Sequence, residues 1–213
     1  MGKWWFVIVR DGIYYAAALT AAGALIAYLG GVWLASPLWV LALFCLYFFR
    51  DPEREIPPGP VAVSPADGKV VAVVGEGSGA QRLSVFLNIF DVHVNRTPIA
   101  GTIAKVEYQE GRFLMANRAE ASGQNEQNVV TVEGDGTTVV FKQIAGLIAR
   151  RIVCYKKPGD RVEAGERIGL IKFGSRVDVL FGAEWEIAVR PGMRVSAGST
   201  VIARRRSEDA HGT

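Results

Sequence analysis

Lys157-Pro-Gly-Asp-Arg-Val-Glu-Ala-Gly-Glu-Arg-Ile168 returns 33 residues later as Arg190-Pro-Gly-Met-Arg-Val-Ser-Ala-Gly-Ser-Thr-Val201. Both copies read basic-Pro-Gly-x-Arg-Val-x-Ala-Gly-x-x-aliphatic. Pro-Gly and Ala-Gly are turn sequences, so each copy is two turns around a short strand. Asp67-Gly68-Lys69-Val70-Val71 supplies a strand start of the same character. Short apolar runs between Gly-rich turns surround the repeat, at 70–74, 83–90, 101–108, 129–132, 138–144, 151–154, 167–171, 177–181, 186–189 and 200–203. Strands this short and this frequent predict an all-β domain over residues 61–206. The longest break, 116–128, is polar, contains Ser122-Gly123 and reads as a mobile loop.

Ahead of this domain the composition changes. No charged residue lies between Gly12 and Phe49, while Lys3, Arg10 and Asp11 precede the stretch and Arg50, Asp51, Glu53, Arg54 and Glu55 follow it. One membrane span takes about 20 apolar residues. The stretch is too long for one span and barely long enough for two. It predicts a helical hairpin, 13–29 and 32–49, turning at Gly30-Gly31 or Ser36-Pro37, either spanning or re-entrant. Trp4, Trp5, Trp33, Trp39 and Tyr47 suit interface anchors. A signal peptide followed by a buried helix is the alternative, but a second apolar stretch follows and no clear cleavage site is visible. Arg10 and Arg50 place both ends of the hairpin on the cytoplasmic side. The segments are then a hairpin at 1–50, a linker at 51–60 stiffened by four prolines, the β domain and a polar tail at 207–213.

Charge and cysteines narrow the function. Against 24 basic residues stand 21 acidic ones, a net charge of +3, too mild to indicate nucleic acid. Arg150, Arg151, Lys156 and Lys157 form a basic cluster that would also favour an anionic lipid surface. Cys45 and Cys154 form no disulfide framework and no zinc spacing, as in a reducing compartment.

The candidate chemistry lies in three places. In Gly169-Leu-Ile-Lys-Phe-Gly-Ser-Arg-Val-Asp178, a strand-turn-strand pattern turns on Gly174-Ser175. A serine hydroxyl can attack the carbonyl before it, and a glycine there offers no side chain to obstruct it. His93, one of two histidines, shares a strand face with Asp91 and Asn95, while His211 sits in the tail. Asp67 lies in Ser64-Pro-Ala-Asp-Gly68, which also suits a plain turn.

The repeat resembles the hammerhead of biotinyl and lipoyl carrier domains, which implies a barrel-sandwich β fold. Those carriers hold a lysine at the hairpin tip, whereas Gly174-Ser175 stands here, so the carrier function does not transfer. The motifs together resemble phosphatidylserine decarboxylase, in its short single-domain, archaeal-type subclass. They are the apolar hairpin, Phe49-Arg-Asp-Pro52, Ser64-Pro-Ala-Asp-Gly-Lys69, Phe90-Asp-Val-His-Val-Asn-Arg96, Ala121-Ser-Gly-Gln-Asn-Glu126 and Phe173-Gly-Ser-Arg-Val-Asp178. Longer relatives carry Leu before the Gly-Ser pair, Thr after it and a second histidine where Arg96 stands here.

The resemblance implies a proenzyme that cuts itself between Gly174 and Ser175. Ser175 attacks the Gly174 carbonyl, the resulting ester undergoes β-elimination, and the dehydroalanine hydrolyses with loss of ammonia to a pyruvoyl group. No metal takes part. Asp67 is the base, directly or through His93. In turnover the pyruvoyl ketone forms a Schiff base with the serine headgroup and accepts the electrons released with carbon dioxide. His93 is the acid that protonates the carbon. Arg96 or Arg176 holds the lipid phosphate by a forked contact. The implied partners are phosphatidylserine in the cell membrane and the enzyme's own two fragments, held as a heterodimer; a homo-oligomer is compatible with this. Two other readings stand beside it: a non-enzymatic membrane adaptor with a hammerhead domain, and a pyruvoyl decarboxylase for another serine-headed lipid, such as an ether lipid.

Overall fold

The computed structural model describes residues 6–116, 120–147, 151–172 and 175–206. The chain divides into two units, Met1–Glu53 and Arg54–Thr213.

In the first unit β1 (Phe6–Ile8), α1 (Arg10–Gly30), α2 (Val32–Phe48) and β2 (Arg50–Pro52) form a helical hairpin whose ends are tied by β1–β2 pairing. The reversal falls at Gly31, where φ is +99°. Ser36-Pro37, the other candidate turn, lies inside α2. Pro37 has no N–H to offer the Trp33 carbonyl, and the Ser36 hydroxyl donates to that carbonyl at 2.9 Å instead. The buried positions are mostly small: Gly12, Ala16 and Gly23 on α1, Ala35 and Ala42 on α2. A Cβ at Gly23 would strike the Trp39 indole, so the close approach of the helices depends on that glycine. The outward positions include Tyr28, Leu29, Trp33, Leu34, Val40 and Leu43, all exposed. By length and composition α1 can cross a membrane. At 17 residues α2 is about 26 Å long, a little under the hydrocarbon thickness of about 30 Å.

The second unit is β-rich. Its strands are β3 (Val61–Val63), β4 (Gly68–Gly75), β5 (Gln81–Leu87), β6 (Val94–Arg96) and β7 (Gly101–Gln109), then the single turn α3 (Ala121–Gln124). There follow β8 (Gln127–Gly134), β9 (Thr137–Ile144), β10 (Ile152–Cys154), β11 (Arg161–Val162), β12 (Arg167–Ile171), β13 (Ser175–Phe181), β14 (Trp185–Ile187), β15 (Arg194–Val195) and β16 (Val201–Arg205). An eight-stranded antiparallel sheet runs β11-β7-β8-β9-β13-β5-β4-β15, with the three-stranded sheets β10-β12-β6 and β14-β16-β3 beside it. Between the sheets lies one apolar cluster, including Val85, Val130, Phe141, Val177, Val179 and Ile202.

The sequence repeat organises this unit. Its two copies supply β11 and β15, the two edges of the large sheet, and the strand after each copy is the middle strand of a small sheet. Val162 pairs with Gly101 and Val195 with Gly68. A Cβ on either glycine would collide with a backbone carbonyl, Glu133 or Phe86. Gly165 donates to the Thr97 carbonyl and Gly198 to the Ser64 carbonyl, both at 2.8 Å. Two similar halves thus enclose one core, and the mainly β, hammerhead-like reading holds.

The ten expected strands are present with shifted ends. The run 83–90 stops at Leu87, because Asn88 and Asp91 fold the chain into a turn: the Asp91 carboxylate accepts from the Asn88 amide and the Asn88 side chain from the Phe90 amide. The strands not anticipated, such as β3, β11 and β15, have two or three residues and no alternation to read, while the strand expected through Asp91, His93 and Asn95 begins only at Val94, so Asp91 and His93 precede it. The break at 116–128 is more ordered than expected outside 117–119, which lie outside the described residues. Asn125 is buried; its Oδ1 accepts from the Leu114 amide and its Nδ2 donates to the Leu114 and Ala145 carbonyls, and β8 begins at Gln127. The proline-rich segment is docked from Arg54 on. Ile56 lies against Gly165 and Gly198, the matching glycines of the two repeat copies.

Candidate active site

Ser175 is the first residue of β13 and pairs with Leu87 across β5. Alternation places its side chain with Val177, Val179 and Phe181, on the face turned to the core. It is completely buried, and its Oγ has no hydrogen-bond partner among the described residues. A buried hydroxyl left unsatisfied costs about 1–3 kcal/mol. Among the described residues it shares this state with Gln81 Oε1, Asn95 Nδ2 and Gln127 Oε1, and it is the one hydroxyl of the four. Phe173 and Gly174, the other half of the expected cleavage site, lie outside the described residues.

His93 is 2% exposed and directly precedes β6. Its carbonyl accepts from the Ile171 amide at 3.3 Å. Ser175 follows Ile171 by four residues, which span at most about 14 Å of extended chain. The His93 ring Nδ1 lies 2.9 Å from the Asp91 carbonyl oxygen. A carbonyl only accepts, so Nδ1 carries the proton and Nε2 holds the lone pair of the neutral ring. That is the tautomer a base requires.

Asp67 is held by charge. Arg54 Nη2 donates to both carboxylate oxygens, at 3.0 and 2.8 Å, and the Ala197 amide donates at 2.7 Å. Burial pushes its pKa up; Arg54 and the Ala197 amide oppose this, and the nearby Asp91 carboxylate adds a smaller push upward. The net result is a carboxyl above the ordinary aspartate range. The repeat shows that the aspartate is not needed for the turn. Ser64-Pro65-Ala66-Asp67-Gly68 and Thr97-Pro98-Ile99-Ala100-Gly101 occupy matching places, and the second makes its turn with Ala100. Asp67 does not touch Ser175 directly. Phe86 of β5 pairs with Arg176 on one side and Lys69 on the other, so the backbones near Asp67 and Ser175 stand about 10 Å apart, two strand spacings.

The two arginines are placed differently from the expectation. Arg176 follows Ser175 directly on β13, so its side chain leaves the opposite face of the sheet. It is buried and donates to Asp178 Oδ1 and to Ser84 Oγ, both at 2.6 Å. Asp178 also accepts from Ser122 at 2.5 Å and Arg82 at 3.4 Å. Arg96 alternates with Asn95, is 5% exposed and donates to the Gly165 carbonyl at 3.0 Å. Neither guanidinium is displayed to a lipid headgroup, and the phosphate-binding expectation gains no support.

Sequence reading missed Arg54, whose partner lies thirteen positions on. It also missed a line of buried amides, Asn95, Gln143 and Asn128, on the side of the core that Ser175 faces. In a single sequence such residues resemble a solvated strand face; only cross-strand register shows that they meet.

The profile of the family described as phosphatidylserine decarboxylase matches residues 41–203. The chain belongs to that family. The phosphatidylserine decarboxylase proenzyme of Solibacter usitatus is 75% identical over 198 residues, covering 93% of this chain and 97% of its own. The proenzyme of the same name from Cupriavidus pinatubonensis is 44% identical, covering 92% and 94%. That from Magnetococcus marinus is 45% identical, covering 81% and 83%. Phosphatidylserine decarboxylases imply a pyruvoyl group, and the residues present suit one: a serine whose hydroxyl is buried, unpartnered and placed at a strand start.

Proposed function

We propose that this chain is a pyruvoyl-dependent phosphatidylserine decarboxylase that makes its prosthetic group from Ser175 by cutting the chain between Gly174 and Ser175. The observation that carries this reading is the buried Ser175 hydroxyl, without a hydrogen-bond partner among the described residues, in a member of this family. Family membership also removes the adaptor alternative.

The roles follow from placement. The Ser175 proton leaves to His93 Nε2, because Asp67 stands too far away to take it directly. Asp67, ionised and gripped by Arg54, is the negative charge that favours a protonated imidazole. Once formed, the pyruvoyl group supplies an electron sink for the bond to the departing carbon dioxide. His93 then returns a proton to the substrate's α-carbon. The apolar side chains on the core face, Leu87 and Val177, keep water from that carbon.

The exposed apolar hairpin suits a substrate whose chains stay in the bilayer. Each buried methylene contributes about 0.8 kcal/mol to that retention. We place the β domain on the cytoplasmic side, from Arg10 and Arg50 at the two ends of the hairpin. The two fragments remain associated, since β13 lies in the middle of the large sheet between β9 and β5.

Purified protein in mixed micelles should release carbon dioxide from phosphatidylserine, and hydroxylamine, a ketone reagent, should abolish this. Ser175→Ala should be inert. Decarboxylation that survives in Ser175→Ala would overturn the reading.

A further inference from the structure

The two edges of the large sheet come from the two copies of one repeat, yet they carry different charges. At one edge Arg161 of β11 stands opposite Thr102; at the other Arg194 of β15 stands opposite Lys69. Val162, Val195 and Val70 belong to the core, so Arg161, Arg194 and Lys69, each one residue before them, point away from it. The turns that lead into the edges differ as well. In the first, the Asp160 carboxylate accepts from the Lys157 amide at 2.9 Å. In the second, Met193 takes that place, and its Sδ accepts from the Arg190 amide at 3.4 Å. A thioether is a weak acceptor, so the exchange of Asp for Met does nothing for the turn. Lys157 and Arg161 against Asp160 leave the first edge at +1, whereas Arg190, Lys69 and Arg194 against Asp91 leave the second at +2.

The more basic edge is the one beside the candidate active site. The turn at 88–91 follows Leu87, the cross-strand partner of Ser175. Asp91 in that turn has two attachments: its carboxylate pairs with Arg194, and its carbonyl lies against His93 Nδ1. The residue before each partner of this ion pair is apolar and exposed. Phe90, before Asp91, is 63% exposed, and Met193, before Arg194, is 39% exposed. The side chains of Asn88 and Asp91 close the turn between them, so the Phe90 ring is not needed for it. The result is a patch with an apolar centre, Phe90 and Met193, and a cationic rim, Lys69, Arg190 and Arg194. A bilayer surface has the complementary order, with phosphates outermost and hydrocarbon beneath.

We propose that this patch docks the β domain onto an anionic phospholipid surface, with Phe90 and Met193 entering the headgroup layer and Lys69, Arg190 and Arg194 meeting phosphates. It would bring the turn that holds His93 to the plane where lipid headgroups lie. The proposal goes beyond the decarboxylase reading and depends on it only where turnover is measured.

The test uses the full chain in nanodiscs of phosphatidylcholine, with and without phosphatidylglycerol. Amide hydrogen exchange at 88–93 and 190–194 should be slower in the anionic discs. The double variant Lys69→Thr, Met193→Asp gives this edge the residues found at the other, where they fold. It should melt cooperatively and lose the extra protection, as should Phe90→Ser. Each cation near an anionic surface is worth about 5-fold in binding, so a change of two charges should raise the KM for bilayer phosphatidylserine up to about 30-fold. Turnover of dihexanoyl phosphatidylserine, supplied as dissolved monomers, should stay as in wild type. Arg161→Glu, at the opposite edge, should change neither measurement. Equal exchange in neutral and anionic discs would overturn the proposal. So would an equal loss in Arg161→Glu, which would show a general charge effect, or an equal loss on the dissolved lipid, which would place the patch in the active site. A wild type that is protected by anionic discs but never decarboxylates would remove the functional reading and leave this inference standing.

Discussion

Arg54 Nη2 bonds both carboxylate oxygens of Asp67, at 3.0 and 2.8 Å. Arg54 is the first residue after the hairpin unit, so the segment that leaves the hairpin sets the charge of a candidate catalytic acid. Burial raises the Asp67 pKa and Arg54 lowers it. The group must be ionised to support a protonated His93, so cleavage should fail as pH falls through the Asp67 pKa. Arg54→Met removes a lowering influence. It should move the acid limb of the cleavage rate to higher pH, and Asp67→Asn should abolish the limb and slow cleavage at every pH. A pH–rate profile of Arg54→Met that superimposes on wild type would separate Arg54 from the chemistry.

His93 is expected to serve both reactions. His93→Ala should fold, since the Nδ1 hydrogen bond that it removes is a local one, to a carbonyl two residues away. General acid–base groups contribute about 10²–10⁴ in rate, and both fragment formation and carbon dioxide release should fall by that order. If cleavage proceeds and only decarboxylation falls, Ser175 loses its proton elsewhere. Near-normal decarboxylation by a matured His93→Ala enzyme would dismiss both roles.

Arg176 and Asp178 should matter for stability rather than for lipid binding. Their pairing is fully inside the fold, at 2.6 Å, with Asp178 completely buried. Removing one partner of a buried ion pair costs about 3–5 kcal/mol. Asp178→Ala should lose stability of that order in denaturant melts, and Arg176→Met should lower the melting temperature while leaving the KM for phosphatidylserine unchanged. A raised KM with unchanged stability would restore Arg176 as a phosphate ligand.

The repeat at 157–168 and 190–201, with the short apolar runs around it, was enough to foresee a mainly β domain, because Pro-Gly and Ala-Gly turns are local; that its two copies form the two edges of one sheet was not. Ser175 was legible from its motif, and His93 from its position among apolar residues. The direction of Arg176 was legible too, since neighbours on a strand face opposite ways and Ser175 faces the core. Arg54–Asp67 was not legible, because nothing local shows that the proline-rich segment folds back onto the domain. The Asn128–Gln143–Asn95 line needed the register of β8 on β9 and the packing of β6 against them, which no single-strand pattern contains.

The most direct test of the account is the intact mass of the purified, active protein. It predicts two polypeptides, residues 1–174 and 175–213. The smaller should be lighter by one ammonia than simple hydrolysis would leave it and should resist sequencing from its N-terminus, while Ser175→Ala should give one uncut mass. A single uncut chain in protein that decarboxylates phosphatidylserine at full rate would contradict it.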